Sequence, residues 1–278
     1  MAFVRKPGNF YRMPVFFGPM PCPRWWPEGI DEDFSEVPHR WALGARYLTD
    51  KAMLEDILPE GFSVWGDPVL TVEATYMTGF SWLAGGGYAM CDVKFPCVFQ
   101  SKDGPVHGTF LLVRWEDLAD PILTGREELG HNKLFCDIAP ISNFQGRNHA
   151  MMSWRGFNFL KIIAEDLQDT AAPAANPDHK GLLSYKYMPS TPRPGRQWGE
   201  DADAAYVTLT PPAWSGGRTI SYKTGKGLVE WERPTFEQLP TQHNVVNGFA
   251  MLPQLEDRGG WVVEMLGGAS GAETYRLD

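Results

Sequence analysis

From Trp41 onward the hydrophobic positions come in short, β-rich runs separated by glycine, proline and acidic breaks. Before that point they show no clear period. Residues 1–38 are rich in proline and aromatics, with Pro14, Gly18, Pro21, Pro23 and Pro27 interrupting them, and predict an extended arm lying on the body. Residues 41–48 read as a strand. Thr49 or Asp50 then caps a short helix over 50–57 that Pro59-Glu60-Gly61 ends. Val69–Met77 is dominated by Val, Leu, Thr and Tyr and reads as a strand. Gly85-Gly86-Gly87 reads as a turn, and Tyr88–Phe99 and His107–Trp115 as two further strands.

One segment carries a clear helix signature. Asp120 suits an N-cap, Pro121 the first helical position, and Gly130 the glycine just past the end. Lys133–Ile138 follows at once as a strand, so Lys133 stands where a helix hands over to a strand. Further strands are predicted at 148–155, 157–163, 182–188, 204–210, 218–224 and 227–232, with a loop over 168–180. Pro234–Leu239 reads as a short helix, and His243–Met251 and Trp261–Leu266 as closing strands. Many strands without βαβ alternation predict a mainly β (α+β) fold: one domain over 39–278, a curved or closed antiparallel sheet with a few short helices.

Composition narrows the function. A net charge of −9 and a pI near 5.2 argue against a nucleic-acid binder, which needs a basic face. Cys22, Cys91, Cys97 and Cys136 form no CxxC and have no histidines at zinc spacing, so no metal is expected and free thiols in a reducing compartment are. No apolar stretch is long enough to span a membrane and no signal peptide is visible, which predicts a cytoplasmic protein without membrane partners. His39, His107, His149, His179 and His243 fall at no metal or triad spacing. The run Gly268-Ala269-Ser270-Gly271 lacks the last glycine of a nucleophile elbow.

Gly125-Arg126-Glu127, followed by Gly130-His131-Asn132-Lys133-Leu134, resembles the active-site motif of the acetoacetate decarboxylase superfamily, a G-R-E, a spacer and P-K-K. Leu48 to Phe62, with Leu58-Pro59-Glu60, resembles the family's first helix, and Asp67-Pro68-Val69 leading to Glu73 its next strand. The resemblance runs from Arg40 onward and is fainter in the C-terminal half. It implies a sheet around a central cavity, a homo-oligomer, no cofactor, and a small keto acid as substrate. It implies that Lys133 forms the Schiff base, that Glu73 is a cavity glutamate able to orient substrate or shuttle a proton, and that Arg40 recognises a carboxylate. Met90 falls at a second family glutamate and His131 at a usually aromatic position, both facing substrate.

A primary amine is suited to this chemistry because the iminium it forms with a ketone draws electrons from a neighbouring C–C or C–H bond. The amine must be neutral, yet a solvated lysine is free amine to only roughly 0.04% at pH 7. Desolvation or a nearby cation lowers its pKa, and the acetoacetate decarboxylase lysine is the standing example. Here Leu134 replaces the motif's second lysine and removes any adjacent ammonium. Alternation along a strand points residue 134 away from residue 133 and leaves desolvation to act. The loss of the glutamate at 90, with Asp92 on the same face as a substitute, keeps three functions open. They are decarboxylation of a β-keto acid, a Schiff-base aldolase–dehydratase, and a non-catalytic β-barrel that binds a small ligand.

Overall fold

The computed structural model describes residues 3–20, 22–23, 25, 38–212, 217–267 and 273–277. Fourteen strands in these residues join one sheet. In chain order they are β1 (His39–Leu48), β2 (Phe62–Val64), β3 (Val69–Phe80), β4 (Gly86–Ser101), β5 (Gly104–Glu116), β6 (Lys133–Phe135), β7 (Asp137–Phe144), β8 (Arg147–Trp154), β9 (Phe157–Asp169), β10 (Leu182–Pro189), β11 (Ala202–Thr210), β12 (Arg218–Trp231), β13 (Glu256–Leu266) and β14 (Tyr275–Leu277). Three α-helices interrupt them: α1 (Lys51–Glu55), α2 (Ala119–Thr124) and α3 (His243–Met251).

The hydrogen-bonded path runs β14-β11-β10-β5-β4-β3-β1-β13-β12-β9-β8-β7, with β2 on β4 and β6 on β5. Pairing is antiparallel except at β5–β10 and β5–β6. The sheet is therefore mainly antiparallel and curls, but it is not closed: among the described residues its edges are β14 and β7. Curling brings distant strands together. The Tyr76 hydroxyl of β3 donates to the Ala139 carbonyl of β7, and Trp231 Nε1 of β12 donates to Tyr47 Oη of β1 at 3.2 Å.

Strand alternation sorts the side chains onto two faces. Leu43, Ala45, Val72, Ala74, Cys91, Val93, Val113 and Trp115 point to one face and meet Met152, Phe159 and Ile162 in the core. α3 adds Val246 and Phe249, and Trp231 stacks on Phe249 with centroids 5.0 Å apart. The other face of β1, β3, β4 and β5 carries the polar residues from which the candidate site is built.

Several elements differ from their sequence expectation. His243–Met251 is the helix α3, not a strand. Its buried residues Val246 and Phe249 lie three apart, so helical burial overrides the β preference of Val245-Val246. Pro234–Leu239 forms only turns at its end. Residues 218–231 make a single strand with a register shift between Thr224 and Lys226; a Cβ at Gly225 would lie 2.2 Å from the Glu165 carbonyl oxygen. β9 continues to Asp169, into the segment expected as loop, and the strand at 133–138 breaks after Phe135. Helix α1 is capped by Asp50, whose carboxylate accepts from Met53 N at 2.9 Å, as expected. In α2 the N-cap is Leu118, and Asp120 lies in the first turn. The Gly268–Gly271 run lies outside the described residues.

Candidate active site

Register builds the site before any single side chain is considered. Glu73 of β3 stands opposite Asp92 of β4, Asp92 opposite Arg114 of β5, and Arg114 opposite Lys133 of β6. One rung along, Thr75 stands opposite Met90 and Met90 opposite Glu116. Directly paired residues share a face, so these side chains form two adjoining rows, one across four strands and one across three.

Lys133 is brought here by the segment before it. α2 passes into a π turn, Gly125–Leu129, and ends at Gly130 with φ 76°, the left-handed conformation that glycine adopts freely. The chain then drops into β6. The Lys133 side chain runs back beneath the turn: a Cβ on Gly125 would lie 2.2 Å from Lys133 Cε and 2.6 Å from Nζ. The glycine of the G-R-E motif therefore leaves the space that the lysine occupies. Its arginine acts on the backbone, since Arg126 Nη1 donates to the Lys133 carbonyl at 2.8 Å. The segment is held from below by Lys186 Nζ on the Glu127 carbonyl (2.5 Å) and by Thr208 Oγ1 on the Leu129 carbonyl (2.8 Å). The arm reaches it too: Arg12 donates to Thr124 Oγ1 at 2.8 Å and pairs with Glu128 at 3.1 Å.

Lys133 is only 4% exposed. Its Nζ donates to the Pro121 carbonyl at 2.8 Å and lies 2.7 Å from Glu116 Oε1. Burial lowers the amine to about 8; the Glu116 carboxylate opposes this and the Arg114 charge adds to it. Glu116 is fully buried, and burial raises its pKa against the pull of Lys133 and Arg114. Leu134 packs into the hydrophobic core on the opposite face, as strand alternation requires.

Arg114 is not free to roam. Its Nε and Nη2 grip Asp92 at 2.5 and 2.7 Å, a bidentate pair, and Nη1 lies 3.5 Å from His131 Nδ1. Burial works to raise the Asp92 carboxyl, but Arg114 and Lys94 outweigh it and hold it at about 2. His131 Nε2 lies 3.0 Å from Thr210 Oγ1, so its ring bridges β11 to the Arg114–Asp92 pair. Arg40 lies within β1, not ahead of it, opposite Met77 and Met265. Burial lowers its pKa, Tyr88 opposes, and Arg114 lowers it further. Glu73 lies at the far end of the row from Lys133, where Lys94 Nζ (2.9 Å) and Trp261 Nε1 (3.0 Å) take its two oxygens. That leaves Met90 as an apolar position on the floor, facing Glu116.

Two of the groups nearest Lys133, Arg114 and Glu116, were not singled out from the sequence. Their signal is visible in hindsight: they occupy the polar parity of a strand whose other parity, Val113 and Trp115, is core. What the sequence lacks is the register that sets them beside residue 133. A small cleft of about 130 Å³ adjoins the motif, lined by Arg126, His131 and Lys186 among others. Among the described residues no cluster of three or more His, Cys, Asp or Glu is placed to hold a metal, and no helix is long and apolar enough to cross a membrane.

Comparison with known proteins bears on this arrangement. Residues 12–252 match the family described as acetoacetate decarboxylase (ADC). Among solved structures the chain is similar to the enduracididine biosynthesis enzyme MppR, complexed with the condensation product of pyruvate and imidazole 4-carboxaldehyde, at 17% identity and a TM-score of 0.62, covering 87% of this chain and 89% of that one. It is similar to an acetoacetate decarboxylase-like enzyme from Sphingomonas wittichii RW1 (16%, TM-score 0.61, 88% and 94% covered). It is also similar to the acetoacetate decarboxylase of Legionella pneumophila (17%, TM-score 0.61, 93% and 91% covered). At these identities the structural likeness speaks to fold. No curated protein matches the chain.

Proposed function

The chain belongs to the acetoacetate decarboxylase family, and from that premise we propose that it is a carbon–carbon lyase that binds a keto acid as a Schiff base on Lys133 and, with a β-keto acid, releases CO₂. The observation that carries this reading is the buried Nζ, lowered to about 8 and held at two fixed contacts. At pH 7 such an amine is neutral to roughly 10%, a gain of a few hundredfold over a solvated lysine. It attacks the ketone, water leaves, and the iminium accepts the electron pair of the breaking C–C bond.

In this reading the guanidinium groups meet the substrate carboxylate. Arg40 and Arg114 lie close on one face, where burial lowers the Arg40 pKa and the Arg114 charge lowers it further, and the planar fork of Arg suits a carboxylate. Asp92 and His131 hold Arg114 in place. Glu73, with Lys94 and Trp261, forms the far wall, and Met90 gives the floor an apolar patch beside the reacting carbon. A second reading keeps the imine and lets its enamine add to an aldehyde; what favours it is the likeness to MppR, solved with a condensation product of pyruvate and an aldehyde.

Incubation with a β-keto acid, or with pyruvate and an aromatic aldehyde, followed by borohydride reduction, should leave a mass adduct on the peptide that contains Lys133. Lys133→Ala should leave none. CO₂ evolution from the β-keto acid supports decarboxylation; an adduct without CO₂, together with condensation product, supports the second reading. No adduct with any keto acid would leave a binding protein.

A further inference from the structure

We propose that Glu116 is the proton carrier of the imine cycle, the carboxyl group that takes the proton from Lys133, returns it to the departing hydroxyl, and exchanges it with the carbon beside the imine. This deepens the Schiff-base reading above and rests on it.

The geometry singles out Glu116. Its Oε1 is 2.7 Å from Nζ, within proton-transfer distance, and the residue has no exposed surface. Oε2 is buried too and accepts no hydrogen bond among the described residues. An unsatisfied buried carboxylate oxygen is costly, and a structural ion pair normally satisfies both. The other carboxylates on this face are committed: both oxygens of Asp92 bind Arg114, and those of Glu73 bind Lys94 and Trp261. Glu116 is also the direct cross-strand partner of Met90. The carboxylate missing at 90 therefore enters the same part of the floor from the neighbouring strand.

The chemistry balances with solvent as the only further proton source. The ammonium proton of Lys133 passes to Glu116, freeing the amine pair to form the N–C bond. As the N–C bond forms the C=O π pair moves to oxygen, and a second proton passes from nitrogen to that oxygen to give the carbinolamine. Its C–O bond then breaks, the nitrogen pair forms the C=N bond, and the Glu116 carboxyl protonates the leaving hydroxyl as water. The carboxylate so formed removes a proton from the α-carbon, and the C–H pair becomes the enamine double bond as the iminium pair returns to nitrogen. After CO₂ departs, the Glu116 carboxylate takes a proton from solvent and delivers it to the enamine carbon, the reverse of the same transfer. The α-carbon of an imine lies roughly 2.5 Å from its nitrogen, one bond length beyond the imine carbon. A carboxylate already in contact with that nitrogen reaches it by a small rotation. Pro121 contributes only a carbonyl, which accepts from an ammonium or an amine alike and carries no proton.

Two readouts separate this role from a structural one, measured on wild type, Glu116→Gln, Glu116→Asp and the exchange Met90→Glu/Glu116→Met. One is the borohydride adduct on Lys133 with pyruvate at pH 9. The other is deuterium incorporation into the pyruvate methyl group in D₂O, followed by NMR, which reports enamine formation without requiring CO₂. Glu116→Gln should keep the adduct and lose deuterium exchange by about 100-fold or more. Glu116→Asp should lie between the two, and the exchanged pair should regain at least tenfold over Glu116→Gln. Exchange in Glu116→Gln within threefold of wild type, with the adduct intact, would overturn the proposal and leave the Schiff base standing. Absence of the adduct in wild type would overturn both.

Discussion

Replacing Gly125 by alanine separates the site's chemistry from the protein's stability. Gly125 has φ −67° and ψ −41°, an ordinary helical conformation, so alanine meets no backbone strain. Helix propensity favours the change by about 1 kcal/mol. The new methyl, however, falls 2.2 Å from Lys133 Cε, 2.4 Å from Cδ and 2.6 Å from Nζ. Relief to an ordinary contact near 3.5 Å moves the lysine tip by roughly 1 Å. The tip is the flexible end of a long side chain, so it yields without movement of the backbone. It cannot yield and also keep its contacts at 2.8 Å to Pro121 O and 2.7 Å to Glu116. A misplacement of about 1 Å at a reacting group costs on the order of 100-fold in rate. Gly125→Ala should therefore trap keto acid by borohydride about 100-fold more slowly than wild type, while its stability to urea denaturation falls only modestly, by about 2 kcal/mol or less, because the gain in helix propensity offsets part of the weakened contacts. Trapping at the wild-type rate would refute the view that the glycine exists to seat the lysine. A collapse of stability would refute it equally.

Other consequences follow from the same contacts. Arg126→Ala removes the donor to the Lys133 carbonyl and should cost about 1–3 kcal/mol in chemical denaturation; a change below 0.5 kcal/mol on that order-of-magnitude scale would show that the bond does not hold the turn. Asp92→Asn strips a buried guanidinium of its partner and should cost about 3–5 kcal/mol, much of it recovered in Asp92→Leu/Arg114→Met; a double variant no more stable than the single would contradict this. Stability should also depend on pH through Lys133. Its folded pKa of about 8 lies below that of an unfolded lysine. Between about 8 and about 10.4 the unfolded chain holds a proton that the folded chain has lost, so rising pH favours folding. Relative to Lys133→Met, wild type should gain on the order of 3 kcal/mol across that window, and a flat difference would sink the assignment.

The strands with clear β composition, such as Val69–Met77 and Tyr88–Phe99, were legible because a half-buried strand needs β-branched and aromatic residues on its packed face. Lys133 was legible because motif residues surround it, and the structure gives two of them physical work: Gly125 vacates its space and Arg126 ties down its carbonyl. α3 was not legible. Val245-Val246 suggests a strand, the helix has no side-chain cap, and only tertiary contact reveals why it is one. Gln242, just before it, accepts from Trp115 Nε1 at 2.7 Å and donates to the Phe135 carbonyl at 2.9 Å, bridging β5 to β6. Glu116 and Arg114 were hidden for a similar reason. Nothing local to β5 says that Arg114 pairs with Lys133 across a short parallel ladder whose partner strand is three residues long. Closure of the sheet was likewise undecidable from strand count, since the edges at β14 and β7 depend on curvature.

The pH dependence of imine formation on wild-type protein tests the central claim most directly. With saturating borohydride and a keto acid that does not titrate in the range, the trapping rate at Lys133 should rise about tenfold per pH unit at low pH and level off near 8. A rate that keeps climbing past 10, as a solvated lysine's would, or an adduct carried by a different lysine, would contradict it.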